Sequence, residues 1–517
     1  MSDSLALPTG RLPWWYPTRS KLVILSLALV LIVGVSWGVW RATHCASGVR
    51  RVGAECVGVT DGSFVFSPDL AEVLGRIRDE NRWVEQQRGP SISIAYLVSV
   101  PREAGELSDG PRHELQGAYL AQRRVNRTSE LGDLPLIRLL VANAGEGNEQ
   151  WQPVIAQLRD RVGSDRLLAV AGLGQSLETT RQAIAALTEP ENPDAEGIPA
   201  IAARLASEDI SGGSGFVRMA STASDQASVA AAYLKLSPEI STALLVQDVN
   251  VEDRFVKALG DAFTLAFPDS THTLLGPVEE YDGSLDGLAN RFAQMMEDIC
   301  QQRPDVVYFA GRGRDLADFI EALPGRPCRD FPVNLVTGSA GATTAIVLAD
   351  GEDALKDGLE SGVTLRYTAH AHPDAWAAMP ESFSPDPIEY FQQGCANQDC
   401  FTQLFPSDSL DDSGAIMGHD AVVAAVRAIR SAAGQRDLSA DPITLGEVVQ
   451  SLKGLHGASA VPGASGWISL DGSGNPINKA IPILELHPDG TVAFVALSAA
   501  GGAPFVPPSS SVLGTQS

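Results

Sequence analysis

The chain has 517 residues, with 63 Asp and Glu against 38 Lys and Arg and a formal net charge of −25. Residues 1–51 hold six of the basic side chains and a single acid, Asp3, which leaves −30 on the remainder. That sign excludes nucleic acid as a partner, because phosphates reward the opposite charge, and it argues against a domain lying flat on anionic lipid.

The first element is an uncharged run of 19 residues, Leu22 to Trp40. At 1.5 Å per residue it is long enough to cross a bilayer core of about 30 Å. It exceeds the core of about 7–15 residues found in cleavable signal peptides, and no small-x-small site follows at Trp37–Ala42. It therefore predicts a retained single-pass anchor, with residues 1–21 as a short cytoplasmic tail. Trp14, Trp15 and Tyr16 before it, and Trp37 and Trp40 at its end, suit interfacial belts. Arg11, Arg19 and Lys21 precede the run and Arg41, Arg50 and Arg51 follow it, so charge does not orient it. Cysteine does: Cys45, Cys56, Cys300, Cys328, Cys395 and Cys400 all follow the run, and an even set suits an oxidising compartment. Nearness in sequence suggests the pairs Cys45–Cys56, Cys300–Cys328 and Cys395–Cys400. The expected location is the cell membrane, with the large carboxyl-terminal domain extracytoplasmic.

Residues 41–90 read as a leader to the main fold, with a surface helix at Glu72–Gln87. From Ser91 short apolar runs alternate with amphipathic ones. The runs predict strands at Ile92–Val100, Leu136–Val141, Leu167–Gly172, Ile198–Ala203, Phe216–Met219, Thr242–Val246, Val306–Ala310 and Val333–Val336. Helices are predicted at Arg112–Val125, Glu149–Val162, Leu177–Leu187, Ala223–Leu236, Glu252–Phe267, Leu288–Gln302 and Leu316–Leu323. Such alternation means an α/β chain with mainly parallel sheets covered on both faces, and ligands at the carboxyl ends of the strands. Farther on, Gly418–Ser431 and Leu445–Gly454 read as helices and Gly463–Leu497 as β-structure. The Gly-, Pro- and Ser-rich tail 499–517 predicts disorder.

Three stretches carry a family resemblance: HELQGAYLAQRRVN at His113–Asn126, GIPAIAARLASEDI with FVRMASTASDQA, and GASGWISLDGSGNPINKAIPILEL. In order and spacing they resemble the type I periplasmic solute-binding proteins, and within them the branched-chain amino-acid-binding branch of ABC-transporter substrate-binding proteins. The resemblance spans about Ser91 to Leu497. It implies two doubly wound parallel-sheet lobes joined by three crossovers around a central cleft, lobe 1 from about 91–215 with 370–455 and lobe 2 from about 216–369 with 456–498. It implies a small-molecule ligand in that cleft, hinge closure and no catalysis; no cofactor is expected, and the cysteine and histidine spacings give no metal site.

Matching the family's ligand loops places the site on Gly174, Gln175 and Ser176, on Leu205, Ala206 and Ser207, on Asp248, Asn250 and Val251, and on Gly311, Arg312 and Ser339. Ser176 would donate its hydroxyl to a ligand carboxylate beside a helix N-terminus. The loops depart from the family pattern. Ala206 stands near the usual carboxylate-binding threonine, Val251 near the usual tyrosine, and arginines stand where an acid would pair a ligand ammonium. The expected ligand is a small polar solute, amino-acid-like or carboxylate-bearing, which Arg312 would grip bidentately. The alternative, that Arg312 bridges the lobes or pairs Asp315, stays open.

Other motifs carry less. Gly172–Leu173–Gly174–Gln175–Ser176–Leu177 lacks the third glycine of a dinucleotide fingerprint and follows a third strand, and no G-x-S-x-G elbow occurs. His370 and His372 have no evident third ligand and read as a structural pair. His419–Asp420 reads as a helix-start cap, and Cys395–Cys400 as a small disulfide loop. The chain thus reads as a membrane-anchored extracytoplasmic solute-binding protein serving ABC-type uptake through a permease. A ligand-sensing ectodomain with a signalling partner, or a ligand-free protein-interaction module, remain as alternatives.

Overall fold

A computed structural model describes residues 26–28, 44–102, 109–189, 196–349, 351–392, 395 and 399–508. The predicted anchor 22–40 lies outside the described residues except for Ser26–Ala28, and so does the tail beyond 508. Among the described residues no helix is long and apolar enough to cross a membrane.

Two sheets form two lobes. The first lobe's sheet runs, in spatial order, His44–Ala46, Val49–Val52, Glu55–Thr60, Leu136–Asn143, Ser91–Val98, Leu167–Gly172, Ala200–Ala202 and Phe216–Arg218. The last five are parallel. Their runs of Val, Leu, Ile and Ala are buried on both faces, as doubly covered strands require. The second sheet runs Thr273–Tyr281, Thr242–Asp248, Val306–Ala310, Val333–Thr337 and Val363–Thr368 in parallel, then Ile481–Leu486 and Val492–Ser498 antiparallel. In both lobes the parallel strands follow the order second, first, third, fourth, fifth.

Several expectations need correcting. Residues 44–60 are not a leader. They are three antiparallel strands welded to the first sheet through Gly58–Thr60 and Val141–Asn143, with Val49, Val57 and Val59 buried beneath them. The helix Ala71–Gln86 packs on the same lobe, and its Asn81 donates to the Leu139 carbonyl at 2.8 Å. Phe216–Arg218 pairs with Ala200–Ala202, so the first lobe extends past residue 215. The ribbon Val461–Gly463 with Gly466–Ile468 belongs to the first lobe's core, and only Ile481–Ser498 joins the second sheet. The edge strand Thr273–Tyr281 was not expected; a bulge between Leu275 and Glu279 accommodates Gly276 and Pro277 at the sheet edge. Residues 499–508 fold back, with Gly501 and Phe505 donating to Asn478.

All three cysteine pairs form as expected: Cys45–Cys56, Cys300–Cys328 and Cys395–Cys400.

Three crossovers join the lobes, at 219–222, 369–372 and 471–480. The helices Asp109–Arg127 and Gly414–Ala433 cross in the first lobe on two glycines. A Cβ on Gly117 would sit 1.8 Å from the Ala415 carbonyl oxygen, and one on Gly418 would sit 2.1 Å from that of Glu114. Backbone cannot yield as a side-chain end can. Gly117→Ala should therefore push the helices apart and lower stability by about 1–3 kcal/mol. Urea unfolding checks this, and an unchanged midpoint would mean that the crossing tolerates a side chain.

Candidate functional site

The carboxyl ends of the parallel strands of both sheets meet across a cleft enclosing about 150 Å³. The first lobe contributes Ser99, the start of the helix Asp109–Arg127 with Glu114, the loop Gly174–Ser176, and Arg204 with Ala206. The second lobe contributes an apolar wall of Phe255, Ala340, Ile346 and Val347, with Arg312, Ser339 and Thr343 beside it. Thr343, Ile346 and Val347 recur at i, i+3 and i+4 and so share one face of the helix Gly341–Ala349. His370 closes the floor from the second crossover.

Of the twelve residues predicted from the sequence, Gly174, Gln175, Ser176, Ala206, Arg312 and Ser339 line this cleft. The others lie off it. Leu205 and Ser207 are fully buried behind the loop, where Arg218 ties their carbonyls, at 2.6 Å for Ser207. Asp248 accepts from the Asn250 and Gly283 amides at 2.9 Å, and Asn250 accepts from the Glu252 amide at 3.0 Å, so both shape their own loop. Val251 is 80% exposed at the rim. Gly311 permits close packing, since a Cβ there would lie 2.0 Å from the Tyr281 hydroxyl.

The Ser176 hydroxyl accepts from the Ala206 amide at 3.2 Å, and the helix beside it begins at Glu178 with Leu177 as its cap. This joins the two first-lobe ligand loops and leaves the hydroxyl proton to donate. Arg312 pairs Asp253, with Nη2 to Oδ1 at 2.8 Å and Nε to Oδ2, and neither bridges the lobes nor pairs Asp315. Asp253 in turn caps the helix Arg254–Ala266 by accepting from Phe255 and Val256. The Arg312 guanidinium lies 5.2 Å from the centre of the Phe255 ring.

Arg204, Glu114 and His370 were not among the expected site residues, although Arg204 lies inside a loop that was and His370 had been read as structural. Arg204 approaches Glu114 at 3.5 Å, and the other Glu114 oxygen accepts from the Tyr96 hydroxyl at 2.8 Å. Burial raises the Glu114 carboxyl, against the pull of Arg204 and Tyr96. Burial, reinforced by Arg204 and Lys479, pushes His370 down to about 3, so its imidazole is neutral. Its Nδ1 stands 3.5 Å from the Ser221 hydroxyl on the first crossover. His370 and His372 are thus both buried, and His372 caps the helix Pro373–Ala378 by accepting from the Asp374 amide.

The mouth is drawn together by backbone. The Arg254 amide donates to the Ser176 carbonyl and the Glu178 amide to the Glu252 carbonyl, each at 3.2 Å, making an antiparallel bridge between Leu177 and Asp253. Arg254 Nη2 adds a bond to Glu178 Oε2 at 2.8 Å. Hydrogen bonding from Arg181, with Arg254 beside it, holds the Glu178 carboxyl down at about 2.

Behind Glu114, His113 stands between two carboxylates, 3.0 Å from Asp412 and 3.6 Å from Asp408. Burial opposes its charge, but the two aspartates outweigh burial and the nearby Arg112, raising it to about 10. The native imidazole therefore binds its proton more tightly than an unfolded one near 6.5. The resulting stabilisation is complete below about pH 6.5 and is lost as pH climbs to about 10. The melting temperature of the native protein should fall between pH 7 and 9 relative to that of His113→Asn, which has no such proton to lose. Parallel curves for the two proteins would contradict the charged buried imidazole.

Two α/β lobes, three crossovers and a cleft at the facing strand ends define the type I periplasmic-binding-protein fold. No family model matches the chain, and no curated protein sequence matches it. Among solved structures, the chain is similar to a leucine binding protein from Thermotoga maritima, with 16% identity over 78% of this chain and 98% of that one and a TM-score of 0.57. It is similar to the branched-chain amino acid transporter substrate binding protein of Streptococcus pneumoniae in complex with isoleucine, with 14% identity over 79% and 99% and a TM-score of 0.56. It is also similar to an ABC-transporter solute binding protein from Rhodopseudomonas palustris in complex with 3,4-dihydroxy benzoic acid, with 15% identity over 79% and 98% and a TM-score of 0.55.

Proposed function

We propose that the protein is a membrane-anchored extracytoplasmic solute-binding protein that closes its two lobes on a small carboxylate-bearing solute and delivers it to an ABC-type permease. The observation that carries this reading is the cleft itself: a small cavity lined from both lobes, with Arg204 and the Ser176 hydroxyl on one side and an apolar wall on the other. A ligand with an acid head and an apolar body fits that division. The structural neighbours include a substrate binding protein in complex with isoleucine and a solute binding protein in complex with 3,4-dihydroxy benzoic acid, and both of those ligands carry a carboxylate. The anchor Leu22–Trp40 and the six cysteines after it support an extracytoplasmic site.

The test is a thermal-shift screen of the full chain in detergent against amino acids, aliphatic and aromatic carboxylates, sugars and nucleosides. A ligand at about 100 times its dissociation constant adds about 2.7 kcal/mol, a readable shift. The expected hits are monocarboxylates with an apolar body. Hits confined to sugars or nucleosides would reject the carboxylate reading, and silence across the panel would favour a module that contacts proteins alone.

A further inference from the structure

The described chain enters the first lobe at one end of an antiparallel ladder. His44 lies opposite Arg50, and the ladder continues with Arg51 opposite Cys56 and Val52 opposite Glu55. The turn Gly53–Ala54 therefore lies at the same end of the ladder as His44. Arg50, Arg51, Gly53 and Ala54 are all exposed. The hairpin cannot lift away, because Cys45–Cys56 ties its first strand to its third and Val49, Val57 and Val59 lie in the core, each at most 1% exposed.

This turn sits at the ligand end of the lobe. Glu55–Thr60 runs antiparallel to Leu136–Asn143, so its beginning lies beyond the carboxyl end of that strand. Glu55 there accepts from the Glu146 amide at 3.0 Å and pairs Arg102 at 3.3 Å, both in loops that follow parallel strands. The first crossover begins past the opposite edge of the sheet, after Phe216–Arg218, and the other two run beside it, His370 facing Ser221 and Gly474 accepting from the Arg218 amide. The hairpin is thus on the mouth side of the cleft and the hinge on the far side. Three residues, Arg41 to Thr43, separate Trp40 from His44. Even fully extended, that connection reaches only about 14 Å.

We propose that the hairpin Val49–Thr60 is a membrane-contact element that sets the cleft mouth against the bilayer, with Arg50 and Arg51 on lipid phosphates. This rests on the reading of Leu22–Trp40 as an anchor. The acids at this end, Glu55, Glu146 and Glu149, share Arg102, and Arg50 and Arg51 are the basic residues of the hairpin itself.

The full chain is incorporated into nanodiscs of phosphatidylcholine and phosphatidylglycerol that carry a quencher on the lipid headgroup. A dye is placed on Ala54→Cys or, as control, on Leu236→Cys, an exposed site at the amino end of a second-lobe strand. The expected result is loss of most emission at position 54 and none at 236. A chain that enters the discs but shows no quenching at 54, or equal quenching at both sites, overturns the proposal while sparing the anchor. A chain that does not enter the discs removes the anchor reading and the proposal with it. A second variant separates attraction from mere tethering: with a long Gly/Ser insertion between Thr43 and His44, quenching at 54 should persist in anionic discs. It should vanish when Arg50→Glu and Arg51→Glu are added, and persistence after both charge reversals would overturn the phosphate contact.

Discussion

Asp420→Ala should lower stability by about 3–5 kcal/mol, the cost of stranding a buried charge. Asp420 is fully buried within the helix Gly414–Ala433, well past its start, and so does not cap it. Its carboxylate accepts from the Ala464 amide at 2.9 Å, the Ser465 amide at 2.8 Å and the Ser465 hydroxyl, and it meets His419 Nδ1 at 2.8 Å. Burial works against its charge, but His419, Lys479 and Ser465 hold the carboxyl below the usual range. Lys479 is 1% exposed and donates to the Ser465 hydroxyl at 2.7 Å. Burial brings it down to about 8, against the pull of Asp420. Without Asp420 the loop at Gly463–Ser465 loses its anchor and the ammonium its counter-charge. Lys479→Met added to Asp420→Ala should recover part of the loss, because it removes the orphaned charge. Urea midpoints of the single and double variants decide the matter; a single variant within about 1 kcal/mol of the native protein would show that the network contributes little.

The alternation that made the fold legible is the mark of strands buried on both faces and helices covering them. Leu167–Gly172, Leu288–Gln302 and Val306–Ala310 fall where their periodicity put them. Residues 44–60 escaped because short antiparallel strands with Arg, Gly and Glu between their apolar residues have no long run to read. Helix Gly341–Ala349 escaped because Gly–Ala–Thr–Thr resembles a loop until its apolar face has something to cover. The cleft was legible only where a loop directly follows a strand, as at Gly174–Ser176, Arg312 and Ser339. Glu114, Phe255, Ile346 and His370 come from helices and a crossover, and folding alone brings them together. Asp420 was misjudged for a related reason: the amides it anchors, those of Ala464 and Ser465, lie more than forty residues away, and only local capping was visible in the chain.

Arg204→Ala should weaken binding of a monocarboxylate about 10–150-fold, the range expected for a hydrogen bond to a charged group. Both arginines that line the cleft carry the same formal charge, but their surroundings differ. Arg312 is already held through Nε and Nη2 by both oxygens of Asp253, itself committed to capping a helix. A ligand bound through that edge would have to displace Asp253, and the Arg312 charge toward the cleft is compensated. Arg204 has a looser partner: Glu114 stands 3.5 Å away, its carboxyl raised by burial and its second oxygen occupied by Tyr96. A ligand carboxylate can therefore claim Arg204 at little cost to the protein, while Ser176 adds its hydroxyl from the adjoining loop. Arg312→Ala should then cost less than about tenfold, chiefly through the packing it gives Phe255. Calorimetric titration of both variants with the same solute distinguishes the two roles. If Arg312→Ala proved the more damaging, the acid head would lie against the second lobe, and the polarity assigned to the cleft would be reversed.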